Sequence, residues 1–170
     1  MDIEGWMIDE LRQGAMTAID GLWFLAAQES LGFEGALELD IKVWKQYGQI
    51  MLKRAARLLG LDLDAANPPD LETVTELLDV LCQIDGTECA SDVVSADRAN
   101  FTVRRCTWWE NLKKAGRDTE VPCDIVDNAT FESWLAAVDP SLGMKLMKSL
   151  PGGDECCQWV IWRRPGPETQ

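Results

Sequence analysis

Cys106-Thr107-Trp108-Trp109-Glu110 begins a stretch of sequence that runs to Trp162. We expect this stretch to decide how the chain folds. Val-Pro-Cys123 follows a short helical segment, and Gly-Gly-Asp-Glu-Cys-Cys-Gln-Trp159 comes near the end. Most of the chain's eight tryptophans lie in this stretch, and its cysteines stand where regular elements begin or end. We therefore expect thiols, acids and aromatic rings from this stretch to meet in one pocket.

Two short helices are predicted inside this stretch. The first covers residues 107–115, with Thr107 as its N-cap and Gly116 as its end. A loop is predicted over residues 117–126, because Pro122 interrupts the pattern. The second helix is predicted to begin at Asn128 or Thr130 and to stop at Asp139-Pro140.

Two hairpins complete the C-terminal part of the prediction. Residues 144–150 and 156–163 are expected to pair around the turn Pro-Gly-Gly-Asp. Upstream, residues 87–95 and 100–105 read as strands joined by a four-residue connection, Ala-Asp-Arg-Ala. In the last strand Cys156 and Cys157 point to opposite faces, so only one of them can share a site with Cys106.

The N-terminal part is predicted to be helical. Apolar residues recur there every three to four positions, as they do in amphipathic helices. Gly32 and Gly60 are expected to end the first two helices, and Asp70 is expected to cap the third. Asn67-Pro68-Pro69 cannot continue a helix, so a linker is predicted there. The three predicted helices cover residues 1–30, 33–61 and 71–84.

The order of these elements predicts an α+β fold. Long N-terminal helices would pack with a C-terminal antiparallel sheet of about four strands, formed by the two hairpins, and with two short helices. We assign residues 1–66 to the helical part, 67–165 to the α+β part with the pocket, and 166–170 to a tail. Both parts are expected to form one compact unit.

Composition excludes several classes of function. The 29 acidic residues outnumber the 16 basic ones, which gives a net charge of −13 and disfavours nucleic-acid or anionic-membrane partners. No signal peptide or membrane-spanning apolar run is recognisable. Six cysteines without a secretion signal indicate free thiols, metal ligands or catalytic groups rather than disulfides, and a reducing cytoplasm. The chain has no histidine, so acid/base chemistry would fall to acids, lysine, Tyr47 or a thiol.

Cys106 is the best candidate for a nucleophile, because it directly precedes a predicted helix whose N-terminus could lower its pKa. Cys123 and Cys157 would line the same pocket, and Glu110, Asp154 or Asp40 would transfer protons. The alternative is that the cysteines simply pack as small hydrophobic residues.

Aromatic side chains are expected to form the pocket wall. An aromatic concavity is the usual place for an apolar or flat ligand, although tryptophans are also common in cores. The predicted ligand pocket consists of Asp40, Trp44, Trp108, Trp134 and Trp159.

The C-terminal pattern of Cys106, Cys123 and Gly153-Asp154-Glu155-Cys156-Cys157 resembles the bacterial L-2-amino-thiazoline-4-carboxylic acid hydrolase-like family and its uncharacterised relatives. The segment Gly35 to Asp40, with Val43-Trp44 after it, is similar to the helical part of those relatives. The closing hairpin is more distantly similar to 4-vinyl reductase-like ligand-binding domains.

These resemblances imply two functions. The first is a hydrolase that opens a cyclic C–N bond in a small sulfur-containing amino acid. The second is a non-catalytic module that binds or senses a small apolar or aromatic molecule. Relatives of the second kind sometimes hold zinc, but Leu146 and Ser149 stand at matching ligand positions here, so we expect no cofactor. A homodimer formed through the first two helices is a further expectation.

Overall fold

The fold described here is a computed structural model that covers residues 4–63 and 68–164. The predicted start of the first helix at Met1, part of the predicted linker with the boundary at 66/67, and the predicted tail lie outside these residues. The four helices and four strands are arranged as an α+β fold, as predicted.

Helix α1 spans Gly5–Leu59 and is interrupted at Gly32, where φ is 76° and ψ is 172°. This left-handed φ is accessible to glycine at little cost, and it separates a first arm, residues 5–31, from a second arm, residues 33–59. The arms fold back on each other, since the Tyr47 hydroxyl donates to Met16 Sδ at 3.9 Å. The predicted breaks at Gly32 and Gly60 are confirmed.

The first arm exposes the apolar side chains that its sequence pattern would place inside. Leu11, Ile19 and Leu22 are 68–70 % exposed. The side of the arm that faces the rest of the fold carries Asp20 and Phe24 instead. The apolar spacing therefore identified the helix but not its buried face. The predicted homodimer would form through the exposed apolar face.

Helix α2 spans Leu71–Ile84 and begins as predicted. Asp70 caps it, because its Oδ1 accepts the N–H of Thr73 at 2.8 Å. The buried side of α2, which includes Leu77 and Leu78, packs into the main hydrophobic core.

The sheet contains β1 (Glu88–Ser95), β2 (Arg98–Arg105), β3 (Leu142–Lys148) and β4 (Cys157–Arg163). Their order is β1-β2-β4-β3, and every neighbouring pair is antiparallel. The predicted hairpins are therefore joined through β2 and β4.

Two hairpin details differ from the prediction. Ser95 pairs with Arg98, so the first turn has two residues rather than four. The Ser95 hydroxyl accepts the Asp97 N–H at 3.3 Å and so tightens this turn. Strand β3 begins at Leu142, two residues earlier than predicted.

Helices α3 (Thr107–Lys114) and α4 (Cys123–Val138) also correct the prediction. The cap of α3 is Cys106 rather than Thr107, whose hydroxyl donates to the Gly86 carbonyl oxygen at 2.9 Å. The predicted loop over residues 117–126 is partly wrong, because α4 starts at Cys123. The Pro122 carbonyl oxygen accepts the N–H groups of Ile125 and Val126, so the first helical turn forms directly after the proline.

The core lies between one face of the sheet and the helices. Phe101 of β2, Trp159 and Ile161 of β4 and Leu135 of α4 are each at most 2 % exposed. Cys157, Trp159 and Ile161 share this face, as strand alternation predicted. In the described part of the chain, no helix is long and apolar enough to cross a membrane.

Candidate functional site

A cavity of about 890 Å³ lies between the helices and the inner face of the sheet. The first arm of α1 forms one wall, and the second arm, the end of α2, α3 and α4 form the others. Its lining includes Asp20, Phe24, Asp40, Trp44, Cys82, Asp85, Cys106, Trp108, Glu110, Cys123, Asp127, Phe131, Trp134 and Cys157.

The cavity brings together most of the predicted site residues, but not Asp154 and Trp159. Asp154 is exposed in the turn between β3 and β4, where its Oδ2 accepts the Ser149 N–H at 2.8 Å. Trp159 lies in the core, and its indole N–H donates to Asn128 Oδ1 at 2.8 Å. Asp154 therefore caps a turn and Trp159 packs in the core, whereas both were predicted to lie in the pocket.

Three thiols, those of Cys106, Cys123 and Cys157, line the cavity. The Cys123 thiol donates to Asp127 Oδ2 at 3.6 Å. Cys106 Sγ accepts the Trp109 N–H at 3.4 Å, and Cys157 Sγ accepts the Leu150 N–H at 3.3 Å. Cys157 rather than Cys156 is the member of the pair that lines the cavity.

These thiols are poorly suited to act as nucleophiles. Burial, followed by repulsion from Asp127, raises the pKa of Cys106 to about 12 despite its place at the start of α3. Burial raises the pKa of Cys157 to about 11, and it also raises the pKa of Cys123 strongly. The thiolate is the reactive form, so the folded protein holds these sulfurs in their unreactive form at neutral pH.

Glu110 does not have the raised pKa that proton transfer near neutrality needs. Its carboxylate accepts hydrogen bonds from Arg105 at 2.9 and 3.1 Å, and this pairing lowers its pKa. Glu110 therefore lies at the cavity as an ionised partner of Arg105.

Alkylation by iodoacetamide should be slow at Cys106, Cys123 and Cys157 in the folded protein. We expect each to react at least about a hundredfold more slowly than in the denatured chain near pH 8, because the thiolate fraction falls tenfold per pKa unit. Mass spectrometry of digested samples taken over time measures each site. The denatured chain is the control, and rapid alkylation of folded Cys106 would instead support a catalytic thiol.

Three carboxyl groups form a second feature of the cavity. Burial raises the pKa of Asp40 to about 7, and repulsion by Asp20 adds to this effect. Burial likewise raises the pKa of Asp85 to about 7 and that of Asp20 to about 6. Near neutral pH each of these groups therefore exchanges between its protonated and ionised forms.

Aromatic rings surround these carboxyl groups. Trp44 packs edge to face against Trp108 at 5.0 Å and against Tyr47 at 5.2 Å between ring centroids. Trp44 partly offsets the rise in the pKa of Asp20 and Asp40, and Trp108 does the same for Asp85. The two indole side chains therefore lie beside the acids in the cavity wall.

Phe131 and Trp134 of α4 continue the aromatic wall toward the core. Their rings lie 5.3 Å apart, and the Trp134 indole N–H donates to the Trp44 carbonyl oxygen at 3.3 Å. Trp134 therefore connects the cavity wall on α4 to the second arm of α1.

Sequence reasoning missed Asp20, Asp85 and Asp127 as cavity residues. Asp20 and Phe24 are four positions apart and so share one face of the first arm, which is a signal for an acid on an inward face. No local pattern in the sequence marks Asp85 or Asp127. Their proximity to the thiols and tryptophans depends on how the helices pack.

Among residues 4–63 and 68–164, no three cysteine, aspartate or glutamate side chains form a group that could hold a metal ion. The zinc implied by the 4-vinyl reductase likeness therefore has no matching ligand set in this part of the chain.

Comparison with known proteins places the chain in context. The model of DUF6125, a family of unknown function, matches residues 7–164. No protein among the curated proteins matches significantly. Nothing in these comparisons links the chain to the hydrolase-like family that its C-terminal motif resembles.

Two solved structures share the fold at low sequence identity. The first is the phenol-responsive sensory domain of the transcription activator PoxR with phenol, with a TM-score of 0.61 and 13 % identity over 86 % of this chain and 73 % of that chain. The second is trafficking protein particle complex subunit 3 from Naegleria fowleri, covalently bound to palmitic acid, with a TM-score of 0.60 and 11 % identity over 92 % and 97 %.

Proposed function

The chain belongs to DUF6125, a family of unknown function, and on that premise we propose that it is a module that binds a small apolar or aromatic molecule. The observation that carries this proposal is the cavity of about 890 Å³ with its wall of tryptophan and phenylalanine rings. Cavities of this size and composition commonly hold drug-sized ligands.

The shared fold supports the same proposal. A sensory domain with phenol and a subunit with palmitic acid show that chains of this fold can hold small molecules with apolar bodies. In our proposal the present chain uses its cavity in a comparable way, with Trp44, Trp108 and Trp134 against the ligand.

The protonated thiols favour binding over hydrolysis. A hydrolase that worked through Cys106 would need its thiolate, whereas burial and repulsion from Asp127 both disfavour that form. Cys106, Cys123 and Cys157 accordingly serve in this proposal as small apolar parts of the wall.

Binding of a neutral aromatic probe tests the proposal. Titration with 2-phenylethanol should change the tryptophan fluorescence saturably, because tryptophans line the cavity. Trp108→Ala should weaken this binding about tenfold, since one aromatic contact is worth roughly 1.4 kcal/mol.

Trp162→Ala is the matched control for this experiment. Trp162 is also partly buried, but it lies outside the cavity lining. Its replacement should leave the affinity unchanged. A wild-type protein that binds no neutral aromatic probe, or an equal loss in both variants, would count against a ligand in this cavity.

A further inference from the structure

Two buried carboxyl groups in the cavity wall each have an oxygen without a hydrogen-bond partner. Asp40 on the second arm of α1 and Asp85 just after α2 are each 6 % exposed, and Oδ1 of each is unpartnered among the described residues. Both groups line the cavity. A buried acceptor without a donor is unfavourable, so these oxygens favour a ligand that donates hydrogen bonds.

A positive charge would complement this part of the cavity. Asp20 on the first arm of α1 adds a third carboxyl group and repels both Asp40 and Asp85. Within the described part of the chain, no lysine or arginine forms an ion pair with any of the three. The repulsion that Asp20 exerts on the other two acids is therefore not offset by a paired cation from the described residues.

We propose that the cavity binds an arylalkyl amine, with its ammonium group among the carboxylates of Asp20, Asp40 and Asp85 and its ring against the aromatic wall. This inference rests on the proposed binding function and names the chemical class of the ligand.

An ammonium group suits these residues better than a hydroxyl group or a metal ion. A hydroxyl group could bind one orphan oxygen, but it would leave the repulsion between the acids in place. A metal ion needs closely spaced ligands, which the described residues do not provide. An organic cation tolerates wider spacing and also interacts favourably with aromatic rings such as Trp44 and Trp108.

The inference carries a pH dependence because the acids titrate near neutrality. Ionised carboxylates bind an ammonium group, so its affinity should rise between about pH 6 and pH 8 as the acids lose their protons. The titratable or charged groups that act on this region from the surrounding helices are Asp20, Asp40, Tyr47, Arg54, Cys82, Asp85 and, from α4, Asp127.

Comparison of 2-phenylethylamine with 2-phenylethanol tests the inference, because the two probes differ mainly in their polar group. Calorimetric titration near pH 7.5 should show that the amine binds at least about tenfold more tightly. Asp40→Asn should weaken amine binding by a similar factor and weaken alcohol binding by a clearly smaller factor, because only the amine loses an ion pair. Asp92→Asn, which removes the same charge from exposed strand β1, should change neither affinity.

The outcomes separate this inference from the proposed function. If the alcohol binds but the amine binds no more tightly, the ammonium site is wrong and the apolar cavity stands. If neither binds, the proposed function fails and the inference fails with it. Proton release by the wild-type protein, measured by titration in two buffers of different ionisation enthalpy, gives an answer even if Asp40→Asn does not fold. Amine binding without proton release would overturn the inference.

Discussion

Gly48→Ala is expected to destabilise the protein by about 3 kcal/mol, the upper end of the usual range for overpacking a tight core. Gly48 lies in the second arm of α1, and a Cβ atom there would overlap the indole ring of Trp134 on α4. Trp134 is 4 % exposed and donates to the Trp44 carbonyl oxygen, so its ring has little freedom to move. The overlap therefore forces the two helices apart.

A second glycine in the same helix supplies the control. A Cβ atom at Gly14, in the first arm, would meet nothing within 4 Å. Gly14→Ala should therefore stabilise the protein by up to about 1 kcal/mol, because alanine favours the helix. Denaturant unfolding followed by circular dichroism measures both variants. A Gly48→Ala variant as stable as the wild type would contradict the packing of α1 on α4.

The elements that the sequence predicted correctly are those with local signals. Gly32 and Gly60 break α1 because a left-handed φ is strongly favoured for glycine, and Asp70 caps α2 through its own side chain. The two hairpins follow from alternation and turn residues. The pairing of β2 with β4 has no such signal, because it joins strands that are more than 50 residues apart in the chain.

The site was predictable in its sulfur atoms and much less so in its acids. Cys106, Cys123 and Cys157 stand at element boundaries, and the structure brings them to one cavity. Asp20 and Asp85 become important only because the first arm folds back against the end of α2. The apolar stripe of that arm predicted the opposite orientation, since amphipathic spacing identifies two faces without identifying the partner of either.

The protein is expected to be more stable near pH 5 than near pH 8. Four carboxyl groups lining the cavity have pKa values raised chiefly by burial: Asp20 to about 6, and Asp40, Asp85 and Asp127 to about 7. In the unfolded chain such groups ionise near pH 4, so the folded state binds more protons between about pH 4 and pH 7. The contribution of these four carboxyl groups to stability is complete below their pKa in the unfolded chain. It is lost as the pH rises through their pKa values in the folded protein.

Each pKa unit corresponds to about 1.4 kcal/mol, and solvent screening and the coupling between these acids reduce their sum, so the expected loss between about pH 5 and pH 8 is a few kcal/mol. Asp70 and Glu110 have lowered pKa values, so their contributions are lost only under more acidic conditions. Denaturant unfolding at constant ionic strength measures the profile. Asp85→Asn should flatten it and the exposed Asp92→Asn should not, whereas a wild-type profile that rises with pH would show that the acids are not buried as described.

An amine ligand should oppose this loss of stability. Its ammonium group stabilises the ionised carboxylates of Asp20, Asp40 and Asp85, which are the forms that destabilise the empty cavity at high pH. A ligand that binds only the folded state adds stability in proportion to the logarithm of its concentration over its dissociation constant. Because amine affinity is expected to rise between about pH 6 and pH 8, the stabilisation by 2-phenylethylamine should grow over the same interval. The stabilisation by 2-phenylethanol, which carries no charge, should stay constant, so the pH dependence of the two complexes distinguishes a charged site from a merely apolar one.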